Sequence, residues 1–259
     1  MITPYGKDRI LNTLTGTETS IADTLVVGIG EVIDGESLGF EITRIPVSIT
    51  GLDRDNNRIV FKGDLPQELS CSITEVGLYA GEAFILEEDQ NINLFPGGTA
   101  AAGWTTANIS VGQYIKEESI RVQSFTSVSD LSFTLDNFVS DDSIKVLTSS
   151  ATSSTLTLRI GNDASNYWQY LFNLSAGKTI AKVAIGSRTT NGSVNTSNLT
   201  YVSLQATASV LVEGIRFENL RTNNPQYGLV GYSKIANVDK LTGENKEVEY
   251  PLTFNIGAS

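Results

Sequence analysis

The chain has 259 residues, 40% of them hydrophobic and 18% charged, with 29 acidic residues against 18 basic ones and a formal net charge of −11. That length suits one large or two ordinary globular domains, and the acidity argues against non-specific nucleic-acid binding, which relies on Lys and Arg neutralising phosphates. Histidine is absent and Cys71 is the lone cysteine, which excludes Ser-His-Asp and Cys-His catalysis, His-ligated zinc and an intrachain disulfide, and leaves carboxylate-only chemistry and oxygen-ligated Ca²⁺.

The opening Met1-Ile2-Thr3-Pro4-Tyr5-Gly6 has neither the basic start nor the apolar core of a secretory signal. No run approaches the roughly 20 apolar residues of a membrane helix. Synthesis in a cytoplasm and no membrane insertion are therefore expected. One helix is predicted, over residues 6–14, with Ile10, Leu11 and Leu14 grouped on one face and Gly16 as the stop.

Strands follow. The β-branched run 21–30 closes on two glycines. Residues 40–50 alternate loosely, with Pro46 marking an edge or bulge. A polar turn at 53–57 leads into a strand at 58–63. Another strand runs over 69–79, and 83–86 is its expected hairpin partner. In that strand, Ile73-Thr74-Glu75-Val76-Gly77-Leu78-Tyr79 carries an acid and a glycine, both poor strand formers. Glu75 reads either as an edge charge or as the partner of a cation such as Arg44, Arg54, Arg58 or Lys62. Cys71 reads as a small buried hydrophobe.

Small residues without periodicity, 95–103, mark a boundary. Beyond it the chain turns Ser-, Thr- and Asn-rich, and the spacing predicts strands over 119–125, 131–138, 143–147, 155–160, 167–171, 179–185, 201–205 and 209–217. Short strands at that spacing indicate a two-sheet sandwich or jelly roll. Residues 187–198 read as a loop, and a second boundary falls at 222–225. In the last strand, Val248, Tyr250, Leu252, Phe254 and Ile256 alternate strictly with other residues. A lone strand needs a sheet to join, so its pairing with the N-terminal part is expected, which would make the middle an insertion.

Three segments in order resemble the tail-collar and tail-fibre attachment family of phage virion proteins. They are the helix 7–14 with Leu25-Val26-Val27-Gly28-Ile29-Gly30, the strand Ile73–Tyr79, and Glu247-Val248-Glu249-Tyr250-Pro251-Leu252-Thr253-Phe254. The resemblance covers about half the chain, and some 120 residues interrupt it before the closing strand. The interrupting block resembles carbohydrate-binding-like jelly-roll modules, with Val210-Leu211-Val212-Glu213-Gly214-Ile215-Arg216-Phe217 as their final strand. Glu213 stands there in place of the usual Asp. The implied fold is mainly β: a discontinuous α+β attachment domain (1–97 and 226–259) carrying an inserted β-sandwich (98–225). The implied role is a non-enzymatic virion structural protein of the tail or baseplate. Its implied partners are other virion proteins, further copies of itself (a trimer by analogy with related fibres) and host surface glycan.

Alternatives stay open: a capsid decoration or head-fibre protein, a host-recognition carbohydrate-binding module, and a carboxylate-based glycanase. Tyr167, Trp168 and Tyr170 are the candidate glycan contacts, although one face of that strand must be core. Ile10, Leu11, Leu14, Glu75, Val248, Tyr250 and Phe254 are the candidate assembly residues. No cofactor is expected. Asp141-Asp142 and Asn162-Asp163 are the candidate ligands of a structural Ca²⁺, and turn formation explains them equally well. The acids Glu117-Glu118 and Glu87-Glu88-Asp89 are adjacent, and neighbours along a strand point to opposite faces, which suits a glycosidase poorly.

Overall fold

A computed structural model describes residues 1–30, 37–80, 92–93, 109–116, 118–129, 131–218 and 228–254. In chain order the elements are α1 (Pro4–Leu14), β1 (Thr24–Ile29), β2 (Phe40–Pro46), β3 (Ser48–Asp53), β4 (Arg58–Asp64), β5 (Cys71–Ala80), β6 (Ile92–Asn93), β7 (Ile109–Val111), β8 (Glu118–Val122) and β9 (Phe125–Val128). They continue with β10 (Ser143–Ser150), β11 (Ser154–Gly161), β12 (Tyr167–Leu174), β13 (Gly177–Ala184), β14 (Thr189–Asn191), β15 (Tyr201–Ala206), β16 (Val210–Glu218), β17 (Gly228–Lys240) and β18 (Glu247–Thr253). The chain divides into two compact units, Met1–Leu86 with Leu220–Ser259, and Glu87–Asn219. The boundaries expected at 97/98 and 225/226, and the strand expected at 83–86, lie outside the described residues.

In the first unit, Thr3 caps α1: its Oγ1 accepts from Gly6 N at 3.0 Å, and Pro4 takes the first helical position. Gly16, at φ +78°, follows the last turn. Gly6 is needed for close approach, because a Cβ there would stand 1.9 Å from Val230 O. The helix therefore lies against β17, and Thr3 N donates to Val230 O while Tyr232 N donates to Met1 O. The helix buries Gly6, Arg9 and Ile10, whereas Leu11 and Leu14 are exposed. This corrects the grouping of Ile10 with both leucines. Arg9 holds the buried face instead, paired with Glu18 at 2.7 Å and donating to Ser20 O.

Two antiparallel sheets complete this unit, ordered β17-β5-β1-β2 and β18-β4-β3. They share a core that includes Leu25, Val27, Phe61, Ile73, Val76, Leu78, Val248, Tyr250 and Leu252. The strict alternation of the last strand is realised: Val248, Tyr250 and Leu252 point inward, and Glu247, Glu249, Pro251 and Thr253 outward. Among the described strands β18 pairs only with β4, an edge position that tolerates Pro251.

β5 is central, flanked by β1 and β17, and Glu75 is buried, so the edge-charge reading of Glu75 is corrected. Residues i, i+2 and i+4 of a strand share a face, and here Glu75, Gly77 and Tyr79 line the side opposite the main core. Glu75 Oε1 accepts from Gly39 N at 2.8 Å. Gly77 leaves room for Leu38 and Leu229, whose methyl carbons would stand 3.1 and 3.0 Å from a Cβ. Tyr79 lies under the Arg44 guanidinium, 5.1 Å from the ring centroid. Arg44 in turn makes a buried two-point pair with Glu41, at 2.6 and 3.1 Å. Glu75 and Gly77 thus seat Gly39 and Leu38 on this face of the strand, and Tyr79 seats Arg44. Lys62 pairs with Glu247 and Glu249, and Arg58 with Asp53.

The second unit is a β-sandwich of two antiparallel sheets, β13-β10-β16-β8-β7 (with β6 also on β16) and β14-β12-β11-β15-β9. Ile144, Val146, Val212, Ile215 and Phe217 from one sheet meet Leu156, Leu158, Ile160, Tyr170, Phe172, Val202 and Leu204 from the other. Residues 131–138 form no strand. Phe133 makes only an isolated bridge to Leu199, with Leu131 and Leu135 donating to Thr200 O and Thr196 O. The loop 187–198 contains the short strand β14 and is tied down by Asn162. That side chain donates to Asn195 O and Asn198 O and accepts from Asn195 N.

Candidate functional site

The second unit presents two outer sheet faces, and its candidate contact residues sort between them and the core. Tyr170 is 1% exposed, its hydroxyl donating to Ile185 O at 3.3 Å, and burial raises its pKa. Trp168, one register position along on the same side, packs against the core, and the Arg188 guanidinium lies 4.0 Å from its ring centroid. Tyr170 is thus a core residue, which corrects its reading as a glycan contact, while Trp168 is half-buried between the core and Arg188. Tyr167 alternates to the outer face with Gln169. The Arg159 guanidinium sits 4.9 Å from the Tyr167 ring centroid and donates through Nε to Gln169 Oε1 at 2.9 Å.

The other sheet carries a groove of about 490 Å³ lined by Gln113, Arg121, Ser149, Ser150, Ser209 and Leu211, with Val111, Ala151 and Gly177 completing it. Strand register explains the grouping. Arg121 pairs Leu211, Leu211 pairs Ser149, and Ser149 pairs Lys178, so these four form one row across β8, β16, β10 and β13. Directly opposed residues of paired strands share a face. Lys178 Nζ lies 5.2 Å from the Tyr114 ring centroid beside the row.

Behind this row Glu213 fixes Ser149 and the 112–115 turn. Leu147 pairs Gly214 while Thr148 pairs Val212, leaving Glu213 as the extra residue of a β-bulge, a device that re-aims a side chain. Fully buried, Glu213 accepts Tyr114 N at 2.6 Å and Ile115 N at 3.0 Å on Oε2, and the Ser149 hydroxyl at 2.8 Å on Oε1. Gly112 permits the turn, since a Cβ there would stand 1.8 Å from Ile115 O and 3.0 Å from Glu213 Oε2. Burial, with Glu213's charge nearby, raises the pKa of the Tyr114 phenol. The Ser149 proton is directed to Glu213, so its oxygen faces the groove as an acceptor. Deeper on the same face, Lys145 and Arg216 are buried around Glu218, at 2.9 and 3.4 Å.

The candidate calcium ligands do turn work. Asp163 accepts from Ser165 N, Asn166 N and the Asn166 amide, and the Asn166 amide is the leading cause that holds its carboxyl below the usual range. Asp142 accepts from Val139 N at 2.7 Å. Among the described residues no three Asp, Glu or Cys side chains converge. Glu117 and Glu87-Glu88-Asp89 lie outside the described residues.

Of the candidate assembly residues, Ile10, Glu75, Val248 and Tyr250 are buried within the first unit. Leu11 and Leu14 are exposed, and Phe254 lines a shallow apolar hollow of about 210 Å³ with Leu52, Arg58 and Ile59. The groove residues escaped the sequence reading. Ser149, Lys178 and Arg121 lie far apart in the chain, and only the pairing register brings them into one row.

No family model matches the chain, and no curated protein matches it. Solved structures that resemble it include a family 6 carbohydrate-binding module (9% identity, 54% of this chain and 92% of that chain, TM-score 0.31). Others are the module CsCBM6-3 from Clostridium stercorarium in complex with cellobiose (13%, 50% and 92%, TM-score 0.33) and a Bacillus thuringiensis Cry1Da tryptic core variant (12%, 49% and 23%, TM-score 0.33). At these scores the likeness carries no argument about ligand or role.

Proposed function

We propose that this chain is a virion attachment protein of the phage tail or baseplate, in which the first unit is a mount and the second a glycan-contacting module. The observation that carries the reading is the way one unit interrupts the other. Ala80 ends β5, Gly228 begins β17, and the two residues are paired neighbours in one antiparallel sheet. The inserted unit therefore leaves and re-enters the mount where an ordinary hairpin turn would stand. A hairpin turn is the place where an added module least disturbs its host.

Two further points support this reading. All three segments that resemble the tail-collar family fall in the mount, where β1 and β5 are adjacent strands and β18 shares their core. The inserted unit supplies a built groove rich in hydroxyl groups, a form suited to hydrogen-bonding a sugar. The role is binding, with no catalytic step. Assembly with other virion proteins and with further copies falls to exposed surface, above all Leu11 and Leu14, because the other apolar candidates are largely spent inside the mount.

Two measurements test the proposal together. The full chain is applied to a glycan array, and an epitope-tagged copy is followed into purified phage particles. Selective glycan binding and recovery of the tag in tail or baseplate support it. A flat array removes the glycan module, and absence of the tag from particles removes the virion role.

A further inference from the structure

The row that spans the groove has a sign opposite to that of the whole molecule. The chain carries 29 acidic residues and a net charge of −11, yet none of the described residues lining the groove is acidic. Arg121 stands at one end of the row and Lys178 beside the other. Glu213, the buried acid behind the row, is committed to two backbone N–H groups and to Ser149.

From this we infer that the groove takes an acidic glycan, a chain bearing sugar carboxylates of the uronate kind. The inference rests on the glycan-binding reading and narrows it. Arg121 offers a planar fork of donors that matches a carboxylate in two-point geometry. Leu211 supplies an apolar floor, and the Ser149 oxygen, its proton held by Glu213, accepts from a sugar hydroxyl. Gln113, Ser150 and Ser209 provide donors and acceptors along the walls. Lys178, carried over the Tyr114 ring, meets a second acidic unit. From β8 to β13 is three strand spacings, about 14 Å, so the ligand is an oligosaccharide lying across the strands.

The test uses the full chain against an array holding uronate-containing, sialylated and neutral glycans, followed by calorimetry with trigalacturonate and its neutral counterpart. Acidic glycans are expected to bind and neutral ones to bind at least ten-fold more weakly. Arg121→Gln is expected to weaken trigalacturonate by ten-fold or more, Lys178→Gln by several-fold, and Arg159→Gln, on the opposite sheet, not at all. Arg121 is exposed, and unchanged circular dichroism checks that its loss leaves the fold intact. Binding of neutral glycans alone, or acidic binding untouched by Arg121→Gln, overturns the inference and leaves the glycan reading standing. No binding to any glycan overturns both.

Discussion

Glu213 is the sharpest place to perturb the inserted unit. The side chain is fully buried and accepts three hydrogen bonds, from Tyr114 N, Ile115 N and Ser149 Oγ. Bonds to a charged acceptor contribute roughly 1.5–3 kcal/mol each, and their sum is not additive. Glu213→Ala leaves two backbone donors without their acceptor in a buried turn, so the expected loss is about 3–5 kcal/mol. Glu213→Gln is milder. Its carbonyl keeps both N–H groups, and its amide donates to Ser149 once that hydroxyl turns round. The cost then is the difference between charged and neutral bonds, about 1–2 kcal/mol.

Both tryptophans, Trp104 and Trp168, lie in the Glu87–Asn219 unit, so tryptophan fluorescence in urea follows that unit alone. An alanine variant that loses less than about 1 kcal/mol, or a glutamine variant as damaged as alanine, would refute the reasoning. The first result would mean that the Tyr114–Ile115 turn holds without the carboxylate. The second would mean that packing volume, and not acceptor capacity, is what Glu213 supplies.

Tyr170→Ala should cost about 3–5 kcal/mol by the same fluorescence assay, as a core aromatic, while Tyr167→Ala on the outer face should cost less than half of that. In the mount, burial pushes the Tyr250 phenol up to about 12, against about 10 in an unfolded chain. The stability this represents is complete below pH 10 and is lost as pH rises towards 12, on the order of 2–3 kcal/mol, so Tyr250→Phe should flatten the fall of melting temperature between pH 9 and 11.5. A chain in which an Asn-Gly turn replaces residues 81–227 should fold cooperatively, because Ala80 and Gly228 are already paired. A chemical-shift spectrum without dispersion would count against the mount as an independent unit.

What the sequence discloses follows from how local each feature is. The alternation of Val248, Tyr250 and Leu252 is set by the pleat of one strand, and it survives folding unchanged. Most strands of the sandwich were readable for the same reason. The alternation of Leu131, Phe133 and Leu135 is just as regular and yields no strand. The residues opposite, 195–200, give part of their backbone to Asn162, and a ladder needs both partners free to pair. The helix face failed on one residue type. Arg9 buries its stem through its bonds to Glu18 and Ser20 O, which a count of apolar positions does not anticipate. The glycine and the acid of β5 stand out in the sequence because they break strand preference, and they serve packing within the first unit. The groove was invisible for the converse reason. Each of its residues is ordinary where it stands, and the β-bulge at Glu213 shows only in the register.

Global and local charge then act on different ligands. A net charge of −11 is felt at long range by any polyanion, and screening at physiological salt leaves it effective over about 8 Å from the surface. Nucleic acid, with a charge at every phosphate, meets that repulsion across its whole length, against which the groove sets one short cationic row. A uronate glycan brings its charges on rings that also offer hydroxyl groups to Ser149, Ser150 and Gln113. On the proposed reading two carboxylates meet Arg121 and Lys178, and contact-range pairs at a partly desolvated groove are screened far less than distant ones. The affinity for an acidic glycan should therefore fall only a few-fold between 50 and 200 mM salt. A protein neutralising six to ten phosphates loses about 10³–10⁵ over the same range. A salt slope of that larger size would mean that the sheet face acts as a diffuse polyanion binder, and that the register of Arg121, Leu211, Ser149 and Lys178 has no part in selecting the ligand.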